Sequence, residues 1–464
     1  MSTIATANKH ALSNYRAGSI GETLALFFPL LLSVFSGSIM HFCDRLFISH
    51  YSLSSLKALT AANYYILFFQ FIVARIVTTS RVCIGRSYGE KNFGKLGPYC
   101  WQMIWFSILS MGITLPVGFG LIPMLFQNTD IALEGSAYFK ILLFGNFLFP
   151  LGTALSSYFI GLGKTRVVAL TTFAAQLVNI GLNYLLIFGA LPIVPSLGIK
   201  GAAFGTVFAQ ALLCLALLFL FLNGNASHNV RKLLINWPLL KEVLFLGIPR
   251  VIGTCAILIC WNLVVLLITR LEGDYLLVLS IGSSVWLTYS PLTTTLQQVI
   301  TSQVSFYRGQ KAYATIWRSI RSSLYLLITL FVLFGLGILL FLDPFLSLFI
   351  HEPLSHESLR YVKLSFIWLW VYFLMQGLNQ LHLGLTLGLE QTWFSLKVTL
   401  ITIYPTGYLP FYLGFTLYHL GPDKLYLLCS ISIIVVAPIL FLRGKKVIEK
   451  LKNEDNSLRN LQPA

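Results

Sequence analysis

The stretch LALFFPLLLSVFSGSIMHFCDRLFISH, residues 24–50, decides the fold. It is apolar over more than the about 20 residues of helix that cross the hydrocarbon of a bilayer, and too long for the core of a cleavable signal peptide. Outward from it, eleven further runs have the same character. Twelve spans are expected, near 24–50, 56–80, 98–125, 136–160, 167–189, 198–222, 239–269, 275–305, 316–342, 359–384, 393–417 and 424–442. The composition agrees: 56% of the 464 residues are hydrophobic, 10% are charged, and mean hydropathy is +0.78. A soluble domain carries about 25% charged residues. This chain has too few to cover itself in water, which excludes a soluble globular protein, disorder, a coiled coil and a disulfide scaffold. Long continuous runs rather than ten-residue alternation argue against a β-barrel. The seven cysteines are scattered through the apolar runs with no CxxC pair and no His at zinc spacing, so neither a metal centre nor a disulfide frame is expected.

A net charge of +16 suggests nucleic acid at first sight. In a membrane protein, excess Lys and Arg records topology instead, and no nucleic-acid partner is expected. With both termini placed inside, 22 of the 32 Lys and Arg fall on the cytoplasmic side and 7 outside, while Arg45, Arg75 and Arg250 stay within helices. That bias gives cytoplasmic termini and an even number of spans. The longest internal polar segment divides the chain into an N-terminal six-helix lobe (1–222), a cytoplasmic linker (223–238), a C-terminal six-helix lobe (239–442) and a basic cytoplasmic tail (443–464), read as a solvated end. At a constant offset of 220, Pro29 matches Pro249, Gly89 matches Gly309 and Lys91 matches Lys311. The fold class expected is therefore an all-α polytopic membrane protein, with twelve transmembrane helices in two pseudo-symmetric six-helix bundles. Parallel duplicated bundles are a transporter architecture, with substrate bound between the halves near the midplane.

A charge at the bilayer centre costs at least about 2.5–3.5 kcal/mol, so each intramembrane polar group needs a reason. In the first span His41 and Asp44 are three residues apart, on one helical face. In the fifth, Asn179 and Asn183 are four apart. Thr206 follows the small-residue face GAAFG in the sixth. Two readings stand. Asp44 sits at the outer interface and the asparagines glue helices, or one carboxylate, two amide oxygens and a hydroxyl form a site for a monovalent cation, which sheds its water only where several hard oxygens replace it. Short carboxylates reach the interface less well than Lys or Arg, which favours the second. His41, Asn63, Arg75, Arg250, Asn262 and Gln376 are the candidates for lining a substrate cavity. Glu22 and Glu390 fall near inner helix ends, where water is expected to reach them.

The ordered series CDRLFIS, SLSSLKALTAAN, SRVCIGRSYGEKN, GLGKTRVV, QLVNIGLNYLLIFG and LGIKGAAFGT resembles the multidrug and toxic compound extrusion (MATE) family across most of the N-terminal half, and GIPR, VSFYRGQK and LTLGLEQT extend the resemblance more loosely. The resemblance implies two six-helix lobes around a V-shaped cavity and efflux of drugs or other amphipathic organic compounds, cations above all, in exchange for Na⁺ or H⁺. It maps Asp44 onto the family's helix 1 acid and Asn179, Asn183 and Thr206 onto its N-lobe coupling positions. Some relatives carry Asp where this chain has Asn183. The acids that relatives carry in helices 7 and 10 are replaced here by Ala256 or Ile257 and by Gln376.

Arg75 and Arg250, if they face the cavity, would repel cations, which keeps open the alternative of a flippase of the same superfamily for an anionic or lipid-linked substrate. An enzyme would show a cluster of His, Asp and Arg at one interface. The external HEPLSHE segment, 351–357, has HExxxH rather than HExxH spacing and a Pro that prevents the aligning helix, so it reads as a solvated loop. No enzyme activity, catalytic residue, metal ligand or cofactor is expected beyond the coupling ion. The partners expected are the bilayer, a small-molecule substrate and the coupling cation, with the chain a monomer in a bacterial-type inner (plasma) membrane.

Overall fold

The computed structural model describes residues 11–127, 129–189, 195–349 and 355–461. The spans follow in the order expected: α1 Ile20–Tyr51, α2 Leu53–Gly89, α3 Phe93–Phe126, α4 Ala132–Gly161, α5 Thr165–Phe188, α6 Ile199–Leu222, α7 Trp237–Ile268, α8 Tyr275–Gly309, α9 Tyr313–Pro344, α10 His356–Gly388, α11 (392–417) and α12 Leu425–Leu461. Eleven of these are long and apolar enough, as continuous helices among the described residues, to cross a membrane. The exception is α11. It is regular α-helix only over Thr392–Thr402, then widens to π-helix over Ile403–Tyr408 and Leu413–Leu417 around the turn Leu409–Tyr412. Pro405 and Pro410 remove N–H donors and crowd the preceding turn, and the widened turns absorb the mismatch.

Phe28–Ile248 form one compact unit; the residues from Pro249 onward, with those before Phe28, form the other. Both divisions fall inside a helix, next to Pro29 in α1 and at Pro249 in α7. Packing repeats as the sequence does. In the first unit α4 packs on α2, α3 and α6; in the second, α10 packs on α8, α9 and α12. The turns repeat as well. Lys91 and Lys311 both take a left-handed φ of 60°. Each closes the same cap, Asn92 N–H to Ser87 C=O and Ala312 N–H to Tyr307 C=O, both at 2.9 Å. Gly163 and Glu390 form a second such pair after α4 and α10.

The offset of 220 also aligns two carboxylates. Glu22 opens α1 and is 0% exposed, so the expectation of water access fails there. It accepts from Leu12 N–H and Gly18 N–H at 2.8 Å, Tyr307 Oη at 2.7 Å and Gln303 Nε2 at 3.1 Å. Glu242 opens α7 and accepts from Arg86 Nη2 and Tyr99 Oη, both at 2.5 Å. The start of α1 is thus fastened to α8 in the second unit, and the start of α7 to α2 and α3 in the first. Glu390 pairs with Arg308 at 2.8 Å. The tail is not a free solvated end: α12 runs on, burying Gly444, Ile448 and Asp455 along one face, with Lys311 bonded to Asp455. In the HEPLSHE segment, His351 and Glu352 lie outside the described residues, while His356 and Glu357 are exposed in the first turn of α10.

The connector between α6 and α7 lies along α3. Trp101 Nε1 and Trp105 Nε1 donate to the Val230 and Leu233 carbonyls at 2.7 Å, and Gln102 Oε1 accepts from Asn236 N–H at 2.9 Å. His228 is buried there, its Nδ1 2.7 Å from Tyr158 Oη and its ring stacked on Phe93. Burial, and then the charge of Lys164, hold the His228 imidazole pKa below its ordinary value.

Lys91→Gly relieves a left-handed L-residue and is expected to stabilise by up to about 1 kcal/mol, read as a higher thermal midpoint in detergent. Lys311→Gly gains less, because it also loses Asp455. The docked connector disfavours protonated His228, so its stability is complete above about pH 6.5 and is lost as pH falls. Rate-corrected hydrogen exchange of 223–236 is expected to rise between about pH 7.5 and about pH 5.5, and His228→Gln to remove that pH dependence.

Candidate functional site

Asp44 lies two turns before the end of α1. Its turn neighbours Met40 and Ile48 are buried, and Asp44 is itself 4% exposed. On α5, Ala175, Asn179, Asn183 and Ile187 recur every four residues and are all buried, forming one inward stripe. α6 comes close because Gly201 has no side chain: a Cβ there would stand 2.5 Å from the Leu186 carbonyl oxygen. These three helices bring the four predicted residues together. Asn183 Nδ2 donates to Asp44 Oδ1 at 2.5 Å and to Asn179 Oδ1 at 3.2 Å, and Asn179 Nδ2 reaches Thr206 Oγ1 at 3.5 Å. With its amide turned over, Asn179 donates to Asp44 Oδ1 and accepts from Thr206 N–H, both at 3.3 Å, so either orientation keeps it in the cluster.

The surroundings are apolar. Ile48, Ala58, Ala62, Ile187 and Ala202 belong to one packed core beside the cluster. Asp44 is in ion-pair contact with no Lys or Arg among the described residues. A buried carboxylate has several lone-pair sites, and those left without a hydrogen bond or counter-charge are costly. Two additions lower that cost: a proton on the carboxylate, or a small cation among the oxygens of Asp44, Asn179, Asn183 and Thr206. The arrangement is suited to taking up and releasing a single positive charge. With one carboxylate and neutral oxygens it suits a monovalent ion better than a divalent one. Among the described residues no three His, Cys, Asp or Glu gather as a metal site.

The other candidates are dispersed. His41 does not share the packed face with Asp44: three residues rotate a helix to about 60° away, and His41 is exposed. Asn63 is half-buried and accepts from Tyr138 Oη at 3.2 Å. Arg75 is exposed near the bend at residue 78, about 18 Å along α2 from Asn63. In the second unit Arg250 is half-buried after Pro249, Gln376 is half-buried in α10, and Asn262 is exposed with its amide donated to the Leu258 carbonyl at 2.8 Å. Tyr138 was missed by sequence reading, being one tyrosine among 21. So was Glu134, in the first turn of α4, which accepts from Ser55 Oγ at 2.8 Å.

Residues 29–185 and 249–413 match the MatE family model. The probable multidrug resistance protein NorM of Thermotoga maritima is 24% identical over 379 residues, covering 79% of each chain. The probable multidrug resistance protein NorM of Acinetobacter baylyi is 21% identical over 395 residues, covering 82% of this chain and 87% of its own. Among solved structures, an outward-facing multidrug resistance MATE family transporter of the MOP superfamily matches with a TM-score of 0.80 at 16% identity, over 93% of this chain and 96% of that one. A MOP superfamily transporter from Pyrococcus furiosus matches with a TM-score of 0.79 at 16% identity over the same shares. At that identity the likeness is one of fold.

The cluster makes a stability prediction independent of transport. Asn183→Ala removes the donor to a buried carboxylate, at a cost of about 1–3 kcal/mol on top of the space it leaves. Adding Asp44→Leu removes the stranded acceptor, so thermal unfolding of the double variant is expected to recover most of the loss.

Proposed function

This chain belongs to the MatE family of membrane transporters, and from that premise we propose that it exports amphipathic organic compounds, cations in particular, in exchange for Na⁺ or H⁺ by alternating access. It is an integral multi-pass membrane protein and a transporter, not an enzyme. In this proposal both termini face the cytoplasm of a bacterial-type inner membrane, and a single copy carries out the cycle. The family and its NorM relatives support drug export. The observation that carries the coupling is the buried cluster of Asp44 with Asn179, Asn183 and Thr206.

Coupling requires a group whose free energy differs between the occupied and the vacant protein, since a ligand shifts a conformational equilibrium only by its differential affinity. Asp44 alone among the four changes charge. A proton or Na⁺ arriving from outside neutralises it, and the apolar wall beside it then no longer opposes a buried charge. The conformation that releases substrate outward is favoured by the same amount, and substrate binding from the cytoplasm reverses the bias by linkage.

The test uses inverted membrane vesicles with a fluorescent organic cation, imposing Na⁺ and pH gradients separately. Asp44→Asn is expected to bind the compound but to lose gradient-driven transport, and Asn183→Asp to retain it with a changed ion preference. Wild-type transport by Asp44→Asn would overturn the assignment.

Arg75 and Arg250 bear on substrate sign. If they line the path, each positive charge is worth about 1 kcal/mol, a roughly fivefold effect. Changing both to Gln is expected to raise transport of monovalent cations relative to anions. An unchanged ratio at equal protein level removes them from the path.

A further inference from the structure

We propose that Gly205 of α6 is the positioning residue of the Asp44 cluster, fixing where the Asn183 amide stands; this rests on the reading of that cluster as the coupling site. A Cβ on Gly205 would lie 2.0 Å from Asn183 Oδ1 and 3.2 Å from its Cγ. No amide oxygen tolerates a carbon at that distance. Nor does the Asn183 side chain have freedom to retreat: the residue is fully buried, and its Nδ2 is held at 2.5 Å by Asp44 and 3.2 Å by Asn179. Asn183 Oδ1 has no hydrogen-bond partner among the described residues. Nothing polar draws it to Gly205; it stands there because that position has no side chain.

Gly201, one turn earlier on the same helix, differs in kind. Its missing Cβ makes room for backbone, the Leu186 carbonyl at 2.5 Å. Gly201 therefore sets how near α6 comes to α5, whereas Gly205 accommodates a functional side chain. The vacant position serves both orientations of Asn183. With its N–H toward Asp44, the oxygen fills the space beside Gly205. With its oxygen turned toward a cation at Asp44, the NH₂ group fills the same space. Gly205→Ala closes it in either case and drives the amide off the carboxylate.

The experiment uses the full chain in proteoliposomes, with ethidium efflux measured against Na⁺ concentration and, separately, against pH. Gly205→Ala is expected to shift the ion concentration for half-maximal efflux at least tenfold, as is Asn183→Ala. The double variant is expected to shift no further than Asn183→Ala alone, because Gly205 acts through that amide. Gly201→Ala is expected to lower the thermal midpoint while leaving the ion midpoint within twofold. A wild-type ion midpoint for Gly205→Ala, or a double variant whose shift is the product of the singles, overturns the proposal. If Gly205→Ala does not fold, recovery of a monodisperse double variant at the Asn183→Ala level supports it, and failure of the double variant overturns it. Asp44→Asn, measured alongside, separates the two levels. Wild-type ion dependence there defeats the site reading itself. Lost ion dependence there, with a wild-type midpoint for Gly205→Ala, defeats the role of Gly205 alone.

Discussion

Inside hydrocarbon, no water is present to bond a peptide group or solvate a charge, so every polar atom must find its partner within the protein. That constraint makes the chain helical, and it also accounts for the departures from regular helix. The prolines of α11 are tolerated where widened turns rebuild the hydrogen bonding. Glu22 is tolerated at full burial because two segments converge donors on it: Leu12 and Gly18 of the stretch before α1, and Gln303 and Tyr307 of α8. Asp44 is the departure left incomplete. It has amide partners and an apolar wall but no counter-charge among the described residues, and that shortfall is what the proposed coupling ion would make good.

Much of this was legible in the residues. Twelve spans followed from run length and composition, since hydrocarbon thickness translates directly into residue number. The repeat followed from Pro29 with Pro249 and from the two Gly-x-Lys loops, whose turns take the same left-handed conformation. Asn179 and Asn183 share a face because helical periodicity requires it, and GAAFG announced a close helix contact. Spacing put the two asparagines together, but that Asp44 and Thr206 join them was one of two open readings, to which the resemblance added; the structure brings the four side chains within hydrogen-bonding reach.

Other features were hidden because they depend on tertiary packing. The three-residue spacing of His41 and Asp44 looks like a shared face, yet the remaining rotation separates packed from exposed when the boundary passes between them. Gly205 was one small residue in a small-residue face until Asn183 was placed beside it. Twelve apolar runs gave no sign that the eleventh would widen, because the prolines weaken the helix without stating what replaces it. The tail looked solvated by its charge, but Gly444, Ile448 and Asp455 recur on one side and dock it. The pairing of Glu22 with Glu242 was available from the offset alone, and only their partners in space give it weight.

The fastening of α1 and α7 also bears on the order in which the molecule is made. Glu242 joins Arg86 and Tyr99 across 156 and 143 residues, and Glu22 joins Tyr307 across 285. The first unit is therefore incomplete when α6 leaves the ribosome and closes only after the start of α7 has emerged. The carboxylate of Glu22, among the first groups synthesised, has no access to Tyr307 or Gln303 until α8 exists. Contacts this distant close late, because ordering the intervening chain comes before their reward. The first unit is complete in sequence once the start of α7 is made, whereas the second, whose first residues are the earliest synthesised, waits for α8.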